Sequence, residues 1–146
     1  MKLQAVCLFM LVLSACSAKD TAPRMEPDLA TLQGTWKPIS MEMDGELLPN
    51  ERIENTRLTI KGEEFTFDTG KDSHGGLYKI KPGEDPKQLD IEITRGDEKG
   101  KVYLVIYKFE DGKMIQCMEV SNAKRPVEFT GKAESGNLYE VWERVK

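Results

Sequence analysis

The side chains in this sequence that could do chemistry are one histidine, three cysteines and a large set of carboxylates. His74, the single histidine, lies in Ser73-His74-Gly75-Gly76, which reads as a turn. A histidine triad needs a nucleophile and an orienting acid beside the imidazole, and no spacing here marks either, so His74 is expected to be exposed in a loop. Zinc takes three or four N, S or O ligands. One histidine and one free thiol do not supply them, so neither a metal nor a cofactor is expected. Cys117 in MIQCMEV shares a strand face with Ile115 and Glu119, a face that begins apolar. That predicts a small buried side chain rather than a reactive thiolate. The carboxylates include Glu42, Asp44 and Glu46, then Asp90 and Glu92, then Glu119, Glu140 and Glu143. A glycosidase needs two of them about 5–10 Å apart across a cleft, but alternation with apolar residues assigns most to solvated faces. No catalytic residue is assigned, and the chain is not expected to be an enzyme.

Cys16 differs from the other cysteines by its position. Residues 1–15, MKLQAVCLFMLVLSA, pass from one lysine into an almost unbroken apolar run. The run is too short for a membrane-spanning helix, which takes about 20 apolar residues, and has the anatomy of a secretory signal. Leu13, Ser14, Ala15 and Cys16 resemble the lipobox of bacterial lipoproteins. The resemblance implies cleavage after Ala15 and acylation of the Cys16 thiol, which becomes the first mature residue. A thiol is nucleophilic enough to take the diacylglyceryl group, and two or three acyl chains, at about 0.8 kcal/mol per buried CH₂, anchor stably where one is marginal. The expected location is therefore the bacterial envelope, held to the membrane through Cys16. Ser17 replaces the aspartate that retains many lipoproteins at the inner membrane, which favours the outer membrane or cell surface.

Charge and cysteine count narrow the classes further. The net charge is −4, and loss of residues 1–15, with one lysine and no acid, leaves −5. Nucleic-acid binding rests on Lys and Arg neutralising phosphates, so nucleic acid is not an expected partner. With Cys7 removed and Cys16 acylated, Cys117 is the one thiol left and no intramolecular disulfide can form.

The elements that must carry these residues follow a period of two. Residues 16–28 are polar, contain Pro23 and Pro27, and read as a flexible tether holding the domain on the order of 20 Å from the membrane. Residues 29–146 read as one domain. RLTIKG, EEFTFD and KQLDIEIT alternate apolar with polar, as half-buried strands do. KVYLVIYKF is apolar on both faces and should be covered on both. Asp111-Gly112 predicts a type I′ hairpin before KMIQCMEV. Adding TWKPISMEM, LYKIK, VEFT and LYEVWERV gives eight or nine short antiparallel strands, and LPNERIEN gives one short helical turn. Pro38 cannot donate to a ladder, so the first strand should bulge or lie at an edge there. The pattern predicts an all-β sandwich or closed barrel, and closure would remove the exposed edges. The charged GDEKGK reads as a solvated hairpin end, and Arg125-Pro126 as the rigid start of a loop before VEFT.

Gly34-Thr35-Trp36 opens the first strand after DLATLQ and resembles the G-x-W start of lipocalin-like barrels. That resemblance implies that Trp36 plugs the closed end, with the basic side chain of Arg144, from the last strand, lying across its indole. Such a cation–π contact is worth about 0.5–2 kcal/mol. A wider resemblance covers nearly all of residues 31–146. The order LQGTW, DGELLP, RLTIKGEEFT, GLYKI, PKQLDI, GDEKGK, IYKFEDGKMIQC, RPVEF and a basic last strand is similar to a family of small lipocalin-like domains abundant in planctomycete bacteria. It implies a small antiparallel barrel of about eight strands and supplies no catalytic residue, because that family has no established activity.

Two functions follow as expectations. An eight-stranded barrel is just wide enough to be filled by side chains or to hold one small ligand. Phe65, Phe67, Tyr78, Tyr103, Tyr107, Phe109 and Trp142 are the candidates to line such a pocket or fill the core. With strands this short, a mostly filled lumen with a shallow mouth near Ser73–Gly76 and Gly96–Gly100 is expected. The first reading is an envelope lipoprotein that binds a small apolar or amphipathic ligand. The alternative is a non-catalytic protein-interaction or structural module of the cell envelope with a filled barrel.

Overall fold

The computed structural model describes residues 24–146. The signal, the cleavage at Ala15, Cys16 and most of the tether lie outside the described residues. Nine antiparallel strands form one sheet, and eight of them close into a barrel. The strands are β1 (Gly34–Met43), β2 (Glu46–Leu47), β3 (Arg57–Lys61), β4 (Glu64–Asp68), β5 (Ser73–Lys81), β6 (Gln88–Arg95), β7 (Val102–Glu110), β8 (Lys113–Glu119) and β9 (Asn137–Arg144). Strands β3 to β9 follow β1 in chain order, and β9 returns to pair with β1 from Trp36↔Arg144 to Met43↔Leu138. β2 is a two-residue extension beside β1. Closure leaves the eight barrel strands without a free edge, the condition that alternating strands of this length otherwise have to manage.

The turn chemistry acts as expected. Asp111 and Gly112 both adopt positive φ, at 51° and 73°, as a type I′ turn requires. The pairing of β1 with β9 shifts register between Pro38 and Ser40, the bulge that a proline without an N–H imposes. Gly75-Gly76 is a different device. It lies within β5, where the register against β6 shifts, and a Cβ on Gly76 would stand 1.7 Å from the Glu92 carbonyl oxygen. The pair is a bulge that lets two backbones approach, not a turn.

Among the described residues there are two helices. α2 (Asn50–Ile53) is the expected short turn, whereas α1 (Pro27–Leu32) was not expected and begins inside the stretch read as tether. Glu26 caps α1 by accepting from the Leu29 N–H at 3.0 Å, and Pro27 occupies its first turn, where a missing N–H costs nothing.

VEFT is not a strand. Once β9 pairs with β1 there is no edge for another strand to join, and residues 120–136 instead cross the outer face of the barrel. Arg125 fastens this strap by donating to the carbonyls of Leu89 (3.0 Å) and Val105 (2.7 Å) and pairing with Asp90. Farther along, Gly131 accepts from the Gly45 N–H at 2.7 Å. Ile106 and Cys117, which point outward from β7 and β8, are thereby fully buried. This is how the doubly apolar β7 is covered on both faces, and Cys117 is the inert buried thiol its alternation predicts. Burial pushes its pKa up, away from thiolate character.

Candidate functional site

The barrel interior divides into a packed half and an open half. In the packed half, Trp36 plugs the lumen, its Nε1 donating to the Leu32 carbonyl at the end of α1 (2.8 Å). The Arg144 guanidinium lies 4.3 Å from the indole centroid and donates to the carbonyls of Thr31 (2.6 Å) and Gln33. The helix-end carbonyls, which lack partners within α1, are thus supplied by the residues that plug the barrel. Gly34 is needed because its φ is +111° and a Cβ would stand 2.8 Å from Arg144 Nη1. Tyr107 donates its O–H to Asp28 Oδ2 (2.8 Å), which also takes Lys87 Nζ (2.7 Å).

The open half contains a cavity of about 430 Å³, within the range of small-molecule sites. Of the candidate pocket or core residues, Phe65, Phe67, Tyr78, Tyr103 and Trp142 line it. Tyr107 and Phe109 do not. The inward residues of β7 run the length of the barrel, so Tyr107 lies about 13 Å along the strand from Tyr103, in the packed half, where its ring meets Phe109 edge-on at 5.9 Å. The mostly filled lumen therefore describes only the closed half.

Three polar groups reach the cavity floor. Tyr78, Gln116 and Glu140 are all buried and line it together with Trp142. Gln116 Nε2 donates to Tyr78 Oη (3.4 Å) and contacts Met114 Sδ (3.3 Å). Glu140 is 4% exposed, and among the described residues its one hydrogen bond comes from Trp142 Nε1 at a long 3.4 Å. Burial with so little compensation raises its pKa to about 7, and burial raises the Tyr78 phenol as well. At the mouth, Glu98 accepts from Lys101 Nζ (2.7 Å) and the Tyr103 O–H (2.8 Å), bonds that lower its pKa. His74 is also at the mouth. It stands on β5 with its ring 4.8 Å from that of Phe67 and lines the cavity, so it is not the loop residue that Ser-His-Gly-Gly suggests. Both expected mouth segments thus contribute, one through His74 and the other through Glu98.

Glu140 is the residue that local reading missed, because Tyr139 and Val141 are apolar too and hide the alternation. Parity in β9 would have found it: if Trp142 and Arg144 face inward, so do Glu140 and Leu138. Among the described residues, no group of three or more His, Cys, Asp or Glu side chains is placed to hold a metal ion. No family model, curated protein or solved structure matches the chain.

Proposed function

We propose that the protein is a bacterial envelope lipoprotein whose barrel binds one small apolar or amphipathic ligand in the cavity of its open half. The observation that carries this reading is the cavity itself: apolar walls, an open mouth and a few convergent polar groups, the usual anatomy of a small-molecule site. The packed end supports it, because a barrel held rigid at one end keeps the other preformed. The interaction module depended on a filled lumen, and its exterior support is thin. Val120 and Val127 are exposed on the strap, but scattered apolar residues are ordinary on soluble surfaces. The anchor and the likeness to planctomycete lipocalin-like domains belong to the same proposal, the first resting on the motif around Cys16 and the second on the order of motifs across residues 31–146.

Native mass spectrometry of the exported, gently purified chain tests the binding. A discrete added mass lost on denaturation is expected. A bare protein mass, unchanged after incubation with envelope lipid extract, would remove the ligand-binding reading. The anchor is tested separately by fractionating cells that express Cys16→Ser, which should move the protein from the membrane to the soluble fraction.

A further inference from the structure

The cavity floor carries an acid that, among the described residues, no cation neutralises. Glu140 is buried, lines the cavity and receives one long N–H from Trp142. The ion pairs of the described residues do not include it. Lys101, the cavity's lysine, is at the mouth and held by Glu98. On the strands flanking β9, the residues opposite Glu140 are Met41 of β1 and Gln116 of β8, neither titratable. Across the lumen β5 offers the Tyr78 hydroxyl, with His74 above it at the mouth.

The floor is therefore rich in acceptors. Glu140, whose Oε2 takes only the long Trp142 N–H, and the Gln116 carbonyl can accept further bonds, while the Gln116 N–H₂ is directed to Tyr78 and Met114. Polar groups are retained inside a cavity at a cost unless something completes their hydrogen bonds. A carboxylate ligand would set like charges together here. An alcohol would complete one hydrogen bond and leave the acid to stay protonated. An ammonium group would supply up to three donors and the missing counter-charge, and the net negative chain would favour its approach.

From this arrangement we infer that the ligand is a lipophilic primary amine, bound with its ammonium against Glu140 and Gln116 and its chain along the Phe65–Ile91 walls. This rests on the ligand-binding reading above and specifies its chemistry. The amine binds the ionised acid, so its affinity rises with pH through the Glu140 titration near 7. A neutral ligand of the same length favours the protonated acid and responds in the opposite sense.

The experiment uses decylamine, decan-1-ol and decanoate, titrated into the purified full chain at pH 6 and pH 8 with tryptophan fluorescence as the readout. Decylamine is expected to bind at pH 8 at least about tenfold more tightly than decan-1-ol, as a charge-assisted bond warrants, and to weaken about tenfold at pH 6. Decan-1-ol should weaken from pH 6 to pH 8. Glu140→Gln should erase the amine's advantage and its pH response while keeping decan-1-ol binding. That variant retains His74, Tyr78, Glu98, Lys101 and Tyr103, so any response owed to them stays. Decanoate or decan-1-ol binding as tightly as decylamine at pH 8, or an amine preference that survives in Glu140→Gln, would overturn the inference and leave the ligand-binding reading standing. Binding of none of the three would overturn both. The three-probe comparison on the unaltered chain decides the matter whether or not the variant folds.

Discussion

The two ends of the barrel solve opposite problems with similar residues. At the closed end a tryptophan, an arginine and the carbonyls of α1 satisfy one another, and Asp28 is matched by Lys87 and Tyr107. At the open end Trp142 lines the cavity and its indole N–H reaches an acid that, among the described residues, has no cation beside it. The closed end is built to be complete. The open end is left incomplete, which stability alone does not explain. Natural chains keep a buried acid without a counter-charge mainly where a ligand or a reaction uses it.

The largest test of that contrast is to remove each tryptophan. Trp36→Ala deletes a side chain packed on all sides and leaves the Leu32 carbonyl without its donor, so it should cost about 3–5 kcal/mol. Trp142→Ala removes an equally buried ring, but one that carries no guanidinium and whose N–H makes only a long 3.4 Å bond to Glu140, so the cost should be smaller. Urea unfolding of both variants measures the difference through their midpoints. Equal losses would mean that the indole N–H bond and the guanidinium contact at the closed end add nothing beyond burial.

The next test concerns the acid. Glu140 has an ordinary carboxyl pKa of 4.5 when unfolded and about 7 when folded. Between those values the folded protein holds a proton that the unfolded chain has released. Stability is therefore fully present below about pH 4.5, falls as pH rises to 7, and then levels. A shift of this size corresponds to a loss on the order of 3 kcal/mol. Glu140→Gln should flatten that fall, matching the parent near pH 4 and exceeding it at pH 8. A parent stability that stays level from pH 4.5 to 7 would mean that Glu140 is solvated and that the floor is not dry.

These contrasts show which parts of the molecule sequence can reveal. The barrel was legible because its signals are local: period-two strands, Asp111-Gly112, the Pro38 bulge. The plug was legible through Gly34-Thr35-Trp36 and Arg144, which carry a resemblance as well as a mechanism. The strap was not, since VEFT has a strand's composition and only closure of the sheet denies it a partner. α1 was hidden in six residues with no repeating apolar face. The candidate site was half legible. Its aromatic walls follow from alternation, but which aromatics face the cavity depends on depth along the barrel, a quantity that parity cannot express. Glu140 was available to parity and obscured by composition, because carboxylates are far more often solvated than buried.

The smallest test compares two trios of the same chemistry. Asp28 accepts from Lys87 and Tyr107 at the closed end, and Glu98 accepts from Lys101 and Tyr103 at the mouth, with tyrosine bonds of 2.8 Å in both. Geometry alone would give them equal worth. Their surroundings differ: Tyr107 is buried, whereas Tyr103 is partly open to the cavity and solvent. When Tyr107→Phe removes its hydroxyl, the Asp28 carboxylate loses a donor that water reaches poorly, and a bond to a charged acceptor is worth about 1.5–3 kcal/mol. When Tyr103→Phe does the same, water takes the vacated place and Lys101 remains, so the loss should stay below about 1 kcal/mol. Urea midpoints at one pH read both. If Tyr103→Phe costs as much as Tyr107→Phe, water does not enter the mouth freely. The cavity would then be a sealed void, and a ligand would need the Gly96–Gly100 loop to move before it could enter.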